Sequence, residues 1–315
     1  MRFSIIVQIH NGASALPETV SSLLEQDCRD LEVILLDDGS TDGSSMLCDG
    51  YLAAFPQIIR VIHRETANRS GSKNAALEAA LGEYLLFMDC GDQLDRSALA
   101  CLNRFVDETE ADVCLFRFRE PGKNRNLPGR GRGEPMVVTL SDCPQAIPID
   151  PGMRLGLWRR RLFLDSGLRF GKSVWHGDLM LAAKLLPLCQ KIAVVTEELY
   201  IRGRSRQDTL QSRQRSRELI DVLDGLRRYY AGLGRDGDYR GWLTALAAEQ
   251  VLEAAHRMLR SHREQEMLHV LTGYLNTHFP GYETQPLLGR RCRAARYLRN
   301  GQYLRLRAAL FRSKV

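Results

Sequence analysis

The sequence predicts an α/β fold with a mostly parallel β-sheet that is covered by helices on both faces. Short runs rich in Ile, Val and Leu alternate with amphipathic segments, and the connections between them are short. Runs that are apolar throughout are typical of strands buried on both faces, as in a parallel sheet. Strand and helix patterns in strict alternation favour sheet packing with helices on both sides.

The elements follow one another in order through residue 118. Residues 3–9 are apolar and β-branched, as a buried strand requires, and Val20, Leu23 and Leu24 then repeat at helical spacing. The same reasoning predicts five strands, at Phe3–Ile9, Leu31–Leu36, Ile58–Ile62, Tyr84–Met88 and Asp112–Phe118. It predicts four helices between them, at Pro17–Gln26, Ser44–Phe55, Lys73–Leu81 and Ser97–Glu108.

After residue 118 the sequence pattern changes at two places. Residues 120–134 are rich in Pro, Gly and basic residues and predict a loop, either one that closes over a ligand or a simple insertion. The strand and helix pattern then resumes at Leu157–Phe163, Val174–Leu186 and Ile192–Tyr200. Beyond residue 206 the pattern is helical, at Glu218–Tyr230, Leu243–His262 and Glu264–His278. The sequence therefore predicts an α/β domain over 1–205 and a helical domain over 206–315.

Composition places the chain among ordinary globular proteins. Of 315 residues, 44% are hydrophobic and 26% are charged, which allows a sizeable core. The eight cysteines form no CxxC pair, which indicates reduced thiols in a cytoplasmic protein. The N-terminus lacks the apolar stretch of a signal peptide, and no run approaches the roughly 20 apolar residues of a membrane span.

Basic charge is concentrated at the C-terminus. The net charge is +6, and after Glu283 the chain has no Asp or Glu but nine Arg and Lys residues. Such a tail suits an anionic surface, either phospholipid or nucleic acid, or is a solvated helix packed on its own domain. Because no nucleic-acid motif accompanies the tail, we expect an anionic membrane surface and no nucleic-acid partner.

Two acidic clusters end predicted strands. Asp37-Asp38-Gly39-Ser40 follows the second strand, and Asp89-Cys90-Gly91-Asp92 follows the fourth. Ligands of such sheets bind beyond the carboxyl ends of the strands. The first cluster could accept hydrogen bonds from a base or ribose, and the second could hold Mg²⁺ or Mn²⁺ against a diphosphate. The alternative for both is a turn with a helix cap.

A third polar cluster opens a later helix. In Trp175-His176-Gly177-Asp178, the carboxylate of Asp178 near the helix N-terminus could serve as a general base. The alternative is an N-capping residue. The apolar face of Trp175 could stack on a sugar ring, or pack in the core.

Together these segments resemble the family 2 glycosyltransferases of the GT-A, Rossmann-like fold. Residues 4–11 match a segment that the family usually writes SIIVPVYN, and further similar segments lie at 23–27, 31–42, 71–77, 82–89, 167–170, 177–178 and 200–202. The resemblance covers residues 3–205. It departs from the family at Gly91, where a second acid is usual, at Gly177, where Glu is usual, and at Lys73, which replaces Arg.

The resemblance implies a role for each matching position. Asp38 would recognise the nucleobase, commonly uracil, Asp178 would be the catalytic base, and Trp175 would face the acceptor. The donor pocket would comprise Gln8, His10, Asn11, Asp38, Asn68, Lys73 and Asp89. A Mn²⁺ or Mg²⁺ cofactor would be held by Asp89, Asp92 and His176.

The implied activity is inverting transfer of a hexosyl or N-acetylhexosaminyl group from a nucleotide-sugar, commonly a UDP-sugar. The acceptor would be a hydroxyl of a glycan or lipid-linked molecule in bacterial surface polysaccharide or glycolipid synthesis. The protein would be cytoplasmic, free or peripheral on the inner face of the membrane. Because of Gly91 and Gly177, an alternative is a catalytically weakened GT-A module that binds nucleotide or glycan as an assembly partner.

Overall fold

A computed structural model describes residues 1–64, 69–119, 135–171, 176–203, 212–234, 236–261 and 265–312. The chain divides into two compact units. Unit 1 comprises Met1–Asp142 and Pro151–Arg206, and unit 2 comprises Cys143–Asp150 and Gln207–Val315. The loop expected at residues 120–134 lies outside the described residues.

Unit 1 is the predicted α/β fold. Its strands are β1 Phe3–Ile9, β2 Leu31–Asp38, β3 Ile59–Arg64, β4 Tyr84–Asp89, β5 Gln93–Leu94, β6 Val113–Arg119, β7 Met136–Val138, β8 Gly156–Arg159 and β9 Ile192–Ile201. Its helices are α1 Leu16–Leu24, α2 Ser44–Ala54, α3 Arg69–Ala79, α4 Ala98–Thr109, α5 Arg160–Ser166 and α6 Gly177–Leu185. The segment predicted at Leu157–Phe163 is divided between β8 and α5.

One sheet connects all of these strands, in the order β3-β2-β1-β4-β8-β6-β9-β5, with β7 also paired to β9. The first four strands are mutually parallel. In contrast, β8 runs antiparallel to both of its neighbours, β4 and β6. The sheet is therefore mixed, with one parallel part formed by the first four strands and a second formed by β6 and β9.

The central strands are buried on both faces. Ile5 and Ile6 point to opposite faces of β1, as Val33 and Ile34 do on β2, and all four are at most 1% exposed. Burial on both sides explains why these segments are almost continuously apolar in sequence.

Unit 2 is helical, as predicted. Its helices are α7 Ser212–Gly232, α8 Asp236–Ser261, α9 Gln265–His278, α10 Cys292–Arg299 and α11 Tyr303–Arg312. The basic segment, expected as one helix, is two short helices because Gly301 adopts a left-handed conformation with φ of 64°. No helix in the described ranges combines the length and apolar character that a membrane span requires.

Candidate active site

The strand register brings three predicted site residues to one edge of the sheet. Gln8 is the register partner of Leu36 on β2 and of Asp89 on β4. Because register partners share a face and side chains alternate along a strand, Gln8, Asp38 and Asp89 emerge on the same face. Asp37 emerges on the opposite face.

Asp38 is buried, but only one of its carboxylate oxygens is paired. Its side chain is 0% exposed, and the Ser72 hydroxyl donates a hydrogen bond of 2.6 Å to Oδ1. Oδ2 and the Gln8 Nε2 are both buried and have no hydrogen-bond partner in the described part of the chain. Buried polar atoms are almost always paired, so this acceptor and this donor are suited to a ligand that offers one of each.

Asp37 has a structural role. It accepts hydrogen bonds from the backbone N–H of Ser40 at 3.1 Å, from the Ser45 hydroxyl and from His63 Nδ1 at 3.0 Å. Burial opposes its charged form, but these hydrogen bonds hold the pKa of Asp37 below its ordinary value. Asp37 therefore stabilises the turn that positions Asp38.

His10 and Asn11 tie the loop after β1 to the loop after β2. The Asn11 side chain accepts a hydrogen bond of 2.8 Å from the Thr41 N–H, and the Asn11 backbone N–H donates to the Ser40 hydroxyl at 3.0 Å. His10 Nδ1 lies 2.9 Å from the carbonyl oxygen of Asp38. Both residues therefore lie beside the turn that carries Asp38, and their contact with a nucleoside stays a prediction.

Three consecutive residues near the start of α3 connect the remaining parts of the site. Ser72 binds Asp38, and Lys73 Nζ donates a hydrogen bond of 2.6 Å to Asp178 Oδ1. The Asn74 side chain pairs with the backbone N–H and carbonyl of Phe170 at 2.9 and 3.0 Å. One helix thereby links the predicted nucleobase residue to the predicted catalytic base.

Asp178 lies in the first turn of α6, where the helix dipole favours a carboxylate. Its side chain is 30% exposed and that of Lys73 is 11% exposed, so the pair is partly open to solvent. The Lys73 ammonium also lies 5.2 Å from the centre of the Phe170 ring. The carboxylate is therefore fixed in position and still accessible.

Asp89 forms an ion pair with Arg154, a residue to which the sequence assigned no role. Burial opposes the charge of Arg154, but the neighbouring Asp89, together with Tyr200, Asp178 and Asp92, raises its pKa above the ordinary value. Asp89 and Arg154 are 65 positions apart, so no local motif could have indicated this contact.

The three predicted metal ligands are not brought together. Asp92 is 6% exposed and accepts hydrogen bonds from the Tyr200 hydroxyl and, at 2.7 Å, from the Gly203 N–H. Burial raises the pKa of Asp92, and His176 is also buried, at 5% exposed. No group of three His, Cys, Asp or Glu side chains suited to a metal ion occurs among the described residues. Asp89, Asp92 and His176, as the described part of the chain places them, therefore do not fit the expected metal site.

Two further predicted site residues lie outside the described residues. Asn68, expected to contact the nucleotide, falls in the gap at 65–68. Trp175, expected at the acceptor, falls in the gap at 172–175. Both remain predictions.

In unit 2, the exposed arginines Arg293, Arg296 and Arg305 all lie near Tyr297, and we define them together with the exposed Arg290 as the basic face. None of them forms an ion pair with a carboxylate in the described ranges, whereas the neighbouring Arg291 binds Glu249 and Glu253 at 2.7 and 2.6 Å. Leu304, beside the basic face, is 85% exposed. The surface therefore combines uncompensated positive charge with an exposed apolar side chain.

Comparison with known proteins identifies related sequences. A model of glycosyl transferase family 2 matches residues 4–160. The glycosyltransferase GlyG of Streptococcus pneumoniae is 36% identical over 118 residues, which are 36% of this chain and 38% of GlyG. The poly(ribitol-phosphate) beta-N-acetylglucosaminyltransferase TarS of Staphylococcus aureus is 25% identical over 215 residues, 66% of this chain and 36% of TarS. The chain thus spans under half the length of each of these two relatives.

Solved structures share the fold. The crystal structure of TarS residues 1–349 in complex with UDP-GlcNAc has a TM-score of 0.69 at 20% identity, covering 100% of this chain and 92% of that chain. The mannosyltransferase PcManGT from Pyrobaculum calidifontis, in complex with GDP-Man and Mn²⁺, has a TM-score of 0.57 at 18% identity, covering 96% and 87%. The fold of this chain is therefore that of the GT-A glycosyltransferases.

Proposed function

Since this chain belongs to the family 2 glycosyltransferases, we propose that it transfers a sugar from a UDP-sugar to an acceptor hydroxyl with inversion at the anomeric carbon. The acceptor we propose is a bacterial surface polymer or a lipid-linked glycan, because TarS acts on poly(ribitol phosphate) according to its name. N-acetylglucosamine is the first donor sugar to test, since TarS was solved with UDP-GlcNAc.

One observation carries the nucleotide part of this proposal. Asp38 Oδ2 offers a buried acceptor and Gln8 Nε2 a buried donor on the same sheet face. Uracil presents an N–H donor flanked by two carbonyl acceptors, which complements this pair. Leaving either protein group unpaired in the interior would cost about 1–3 kcal/mol, so binding the base recovers that free energy.

The chain's own residues account for one displacement step. Asp178 accepts the proton of the acceptor hydroxyl while that oxygen forms a bond to the anomeric carbon. The bond from the anomeric carbon to the diphosphate breaks, and UDP leaves with the electron pair. Lys73 holds the Asp178 carboxylate in position at 2.6 Å and places a positive charge next to the reaction.

A ligand-binding experiment tests the donor. UDP and UDP-GlcNAc should raise the melting temperature of the wild-type protein, because a ligand that binds only the folded state stabilises it. GDP and ADP should raise it less. Asp38→Ala should lose the UDP effect. Absence of any shift with UDP or UDP-sugars would contradict the proposal.

A second experiment separates an enzyme from a nucleotide-binding module, the alternative that Gly91 and Gly177 favour. The wild type should release UDP from its donor, and Asp178→Asn should reduce that rate by about 10²–10⁴ while binding UDP with unchanged affinity. If the wild type binds UDP but cleaves no UDP-sugar to yield UDP, the non-catalytic alternative is correct.

We also propose that the basic face of unit 2 binds an anionic membrane surface. Each arginine near such a surface contributes about 1 kcal/mol, and exposed Leu304 supplies an apolar side chain for the interface. Liposomes containing anionic lipid should therefore float the intact protein, while zwitterionic liposomes should not.

The matched variants for this test have equal net charge. Replacing Arg293, Arg296 and Arg305 with Ala should reduce binding to anionic liposomes by more than tenfold. Replacing the exposed Arg104, Arg161 and Arg240 with Ala should leave binding nearly unchanged. Equal flotation of the two triple variants would show that the basic face has no specific role.

A further inference from the structure

Arg154 reaches Asp89 because β8 runs antiparallel to β4. Leu86 and Leu157 are register partners, so Asp89, three residues after Leu86, faces Arg154, three residues before Leu157. An arginine is thereby placed beside Asp89, the acid that ends β4, at the sheet edge that holds Asp38 and Gln8.

The backbone that carries Arg154 is firmly held. The fully buried Trp158 donates a hydrogen bond of 3.0 Å from Nε1 to the carbonyl oxygen of Met153. The Leu155 N–H donates to the Gly152 carbonyl at 3.0 Å and closes the turn. Arg154 therefore starts from a fixed point, with its side chain 30% exposed.

The guanidinium group is only partly used. Nη1 donates to Asp89 Oδ2, and neither Nε nor Nη2 has a hydrogen-bond partner in the described part of the chain. A guanidinium carries a permanent charge and donors arranged to bind phosphate in a bidentate manner. Asp89 thus orients the Arg154 guanidinium, whose remaining N–H donors are available to an anion.

The acidic residues nearby leave little for a divalent cation. The side chain of Asp92 is engaged with Tyr200 and Gly203, and Gly91 has no side chain to offer. Asp89 itself is paired with Arg154. A hard cation would have to displace the guanidinium in order to bind Asp89.

We propose that Arg154, together with Lys73, binds the diphosphate of the donor, and that nucleotide binding consequently does not require a divalent cation. Asp89 acts as a positioning residue for Arg154. This inference rests on the proposed function, because it assumes a nucleoside diphosphate in the site. It assigns the diphosphate contact to a residue outside every matching motif.

Calorimetric titration of the wild type with UDP tests, without any substitution, whether nucleotide binding requires a divalent cation. The dissociation constant in EDTA should lie within about threefold of that in Mn²⁺, since two fixed cations already compensate the diphosphate. UDP binding that appears only with Mn²⁺ or Mg²⁺ would overturn the inference.

Variants of Arg154 test the phosphate contact. Arg154→Ala should weaken UDP binding at least tenfold while leaving the binding of uridine, which lacks phosphate, unchanged by saturation-transfer NMR. Arg154→Lys should recover part of the loss, and Arg161→Ala, an exposed control, should match the wild type. Equal weakening of UDP and uridine, or none, would overturn the role of Arg154.

The two proposals fail in different ways. If the wild type binds neither uridine nor UDP under any condition, the proposed function is wrong and this inference fails with it. If UDP binds only through a metal ion and Arg154→Ala binds like the wild type, this inference alone is wrong.

Discussion

At the scale of single residues, neighbouring carboxylates at the end of β2 have different roles. Asp37 and Asp38 point to opposite faces because side chains alternate along a strand. Asp37 is paired with Ser40, Ser45 and His63, while Asp38 retains one oxygen without a described partner. Residue type alone does not distinguish two adjacent aspartates, but strand geometry does.

Ser72 is expected to control how Asp38 presents Oδ2, the oxygen that has no partner among the described residues. Ser72→Ala removes the 2.6 Å hydrogen bond to Oδ1, and hydrogen bonds to charged groups contribute about 1.5–3 kcal/mol. We expect UDP affinity, measured by calorimetric titration, to fall about tenfold or more.

Ser45→Ala is the matched control, because it removes a hydrogen bond to Asp37 on the opposite face. It should lower the melting temperature but leave UDP affinity unchanged. If both serine variants weaken UDP binding to the same extent, the distinction between the two aspartates does not hold.

At the scale of secondary structure, α3 serves as the connection between the parts of the site. Consecutive residues on a helix are rotated by about 100°, so Ser72, Lys73 and Asn74 face three directions. They contact Asp38, Asp178 and the backbone of Phe170. A single turn of helix therefore sets the separation between the proposed nucleobase residue, Asp38, and the proposed catalytic base, Asp178.

The turn after β4 depends on a close backbone contact. A Cβ at Gly203 would lie 2.1 Å from the carbonyl oxygen of Gly91, which is backbone and cannot rotate away. Gly203→Ala should therefore reduce the free energy of unfolding by about 1–3 kcal/mol, measured by urea denaturation.

The same variant should also disturb Asp92, which accepts a hydrogen bond from the Gly203 N–H. Gly152→Ala is the control, since a Cβ added at Gly152 would have no neighbour within 4 Å and the φ of this residue is −76°. Equal stability of the two variants would mean that the contact between Gly203 and Gly91 relaxes without cost.

At the scale of the whole molecule, unit 2 contains its own network of partly buried charges. In unit 2, Arg291 bridges Glu249 and Glu253 on α8. Burial raises the pKa of Glu249 to about 7, and the neighbouring Glu253 and Asp150 add to this while Arg291 opposes it. Glu249 therefore changes its charge near neutral pH.

The free energy of unfolding should consequently depend on pH. Because folding raises the pKa of Glu249 from 4.5 to about 7, its stabilising contribution is full below 4.5 and is lost as pH rises through 7. A difference of this size corresponds to about 3 kcal/mol. Urea unfolding of the intact chain, followed by circular dichroism, should show this decrease between pH 5 and pH 8.

Glu249→Gln should remove most of that pH dependence, because the amide does not titrate. Glu266→Gln, at an exposed position of α9, should keep the wild-type profile. A wild-type stability that is constant from pH 5 to pH 8 would contradict the expected role of Glu249.

Hydrophobic periodicity in the sequence predicted some features of the fold but not others. The parallel strands were predictable because burial on both faces leaves a continuous apolar run, as in Ile5 and Ile6. The antiparallel direction of β8 was not, since a four-residue strand carries no signal of its direction. The break at Gly301 was also missed, because a basic amphipathic run that contains one glycine is still typical of a helix.

The sequence by itself determined the family, the order of the α/β elements, and the acidic residues that end β2 and β4. Each of these features depends on residues that are close together in the sequence. Tertiary structure alone decided which of these groups meet. Asp92 is turned inward to Tyr200 and Gly203, and Arg154 is brought to Asp89 from 65 positions away. The physical reason is that a charged side chain acquires its role from the partners and burial around it, and strand pairing between distant segments supplies both.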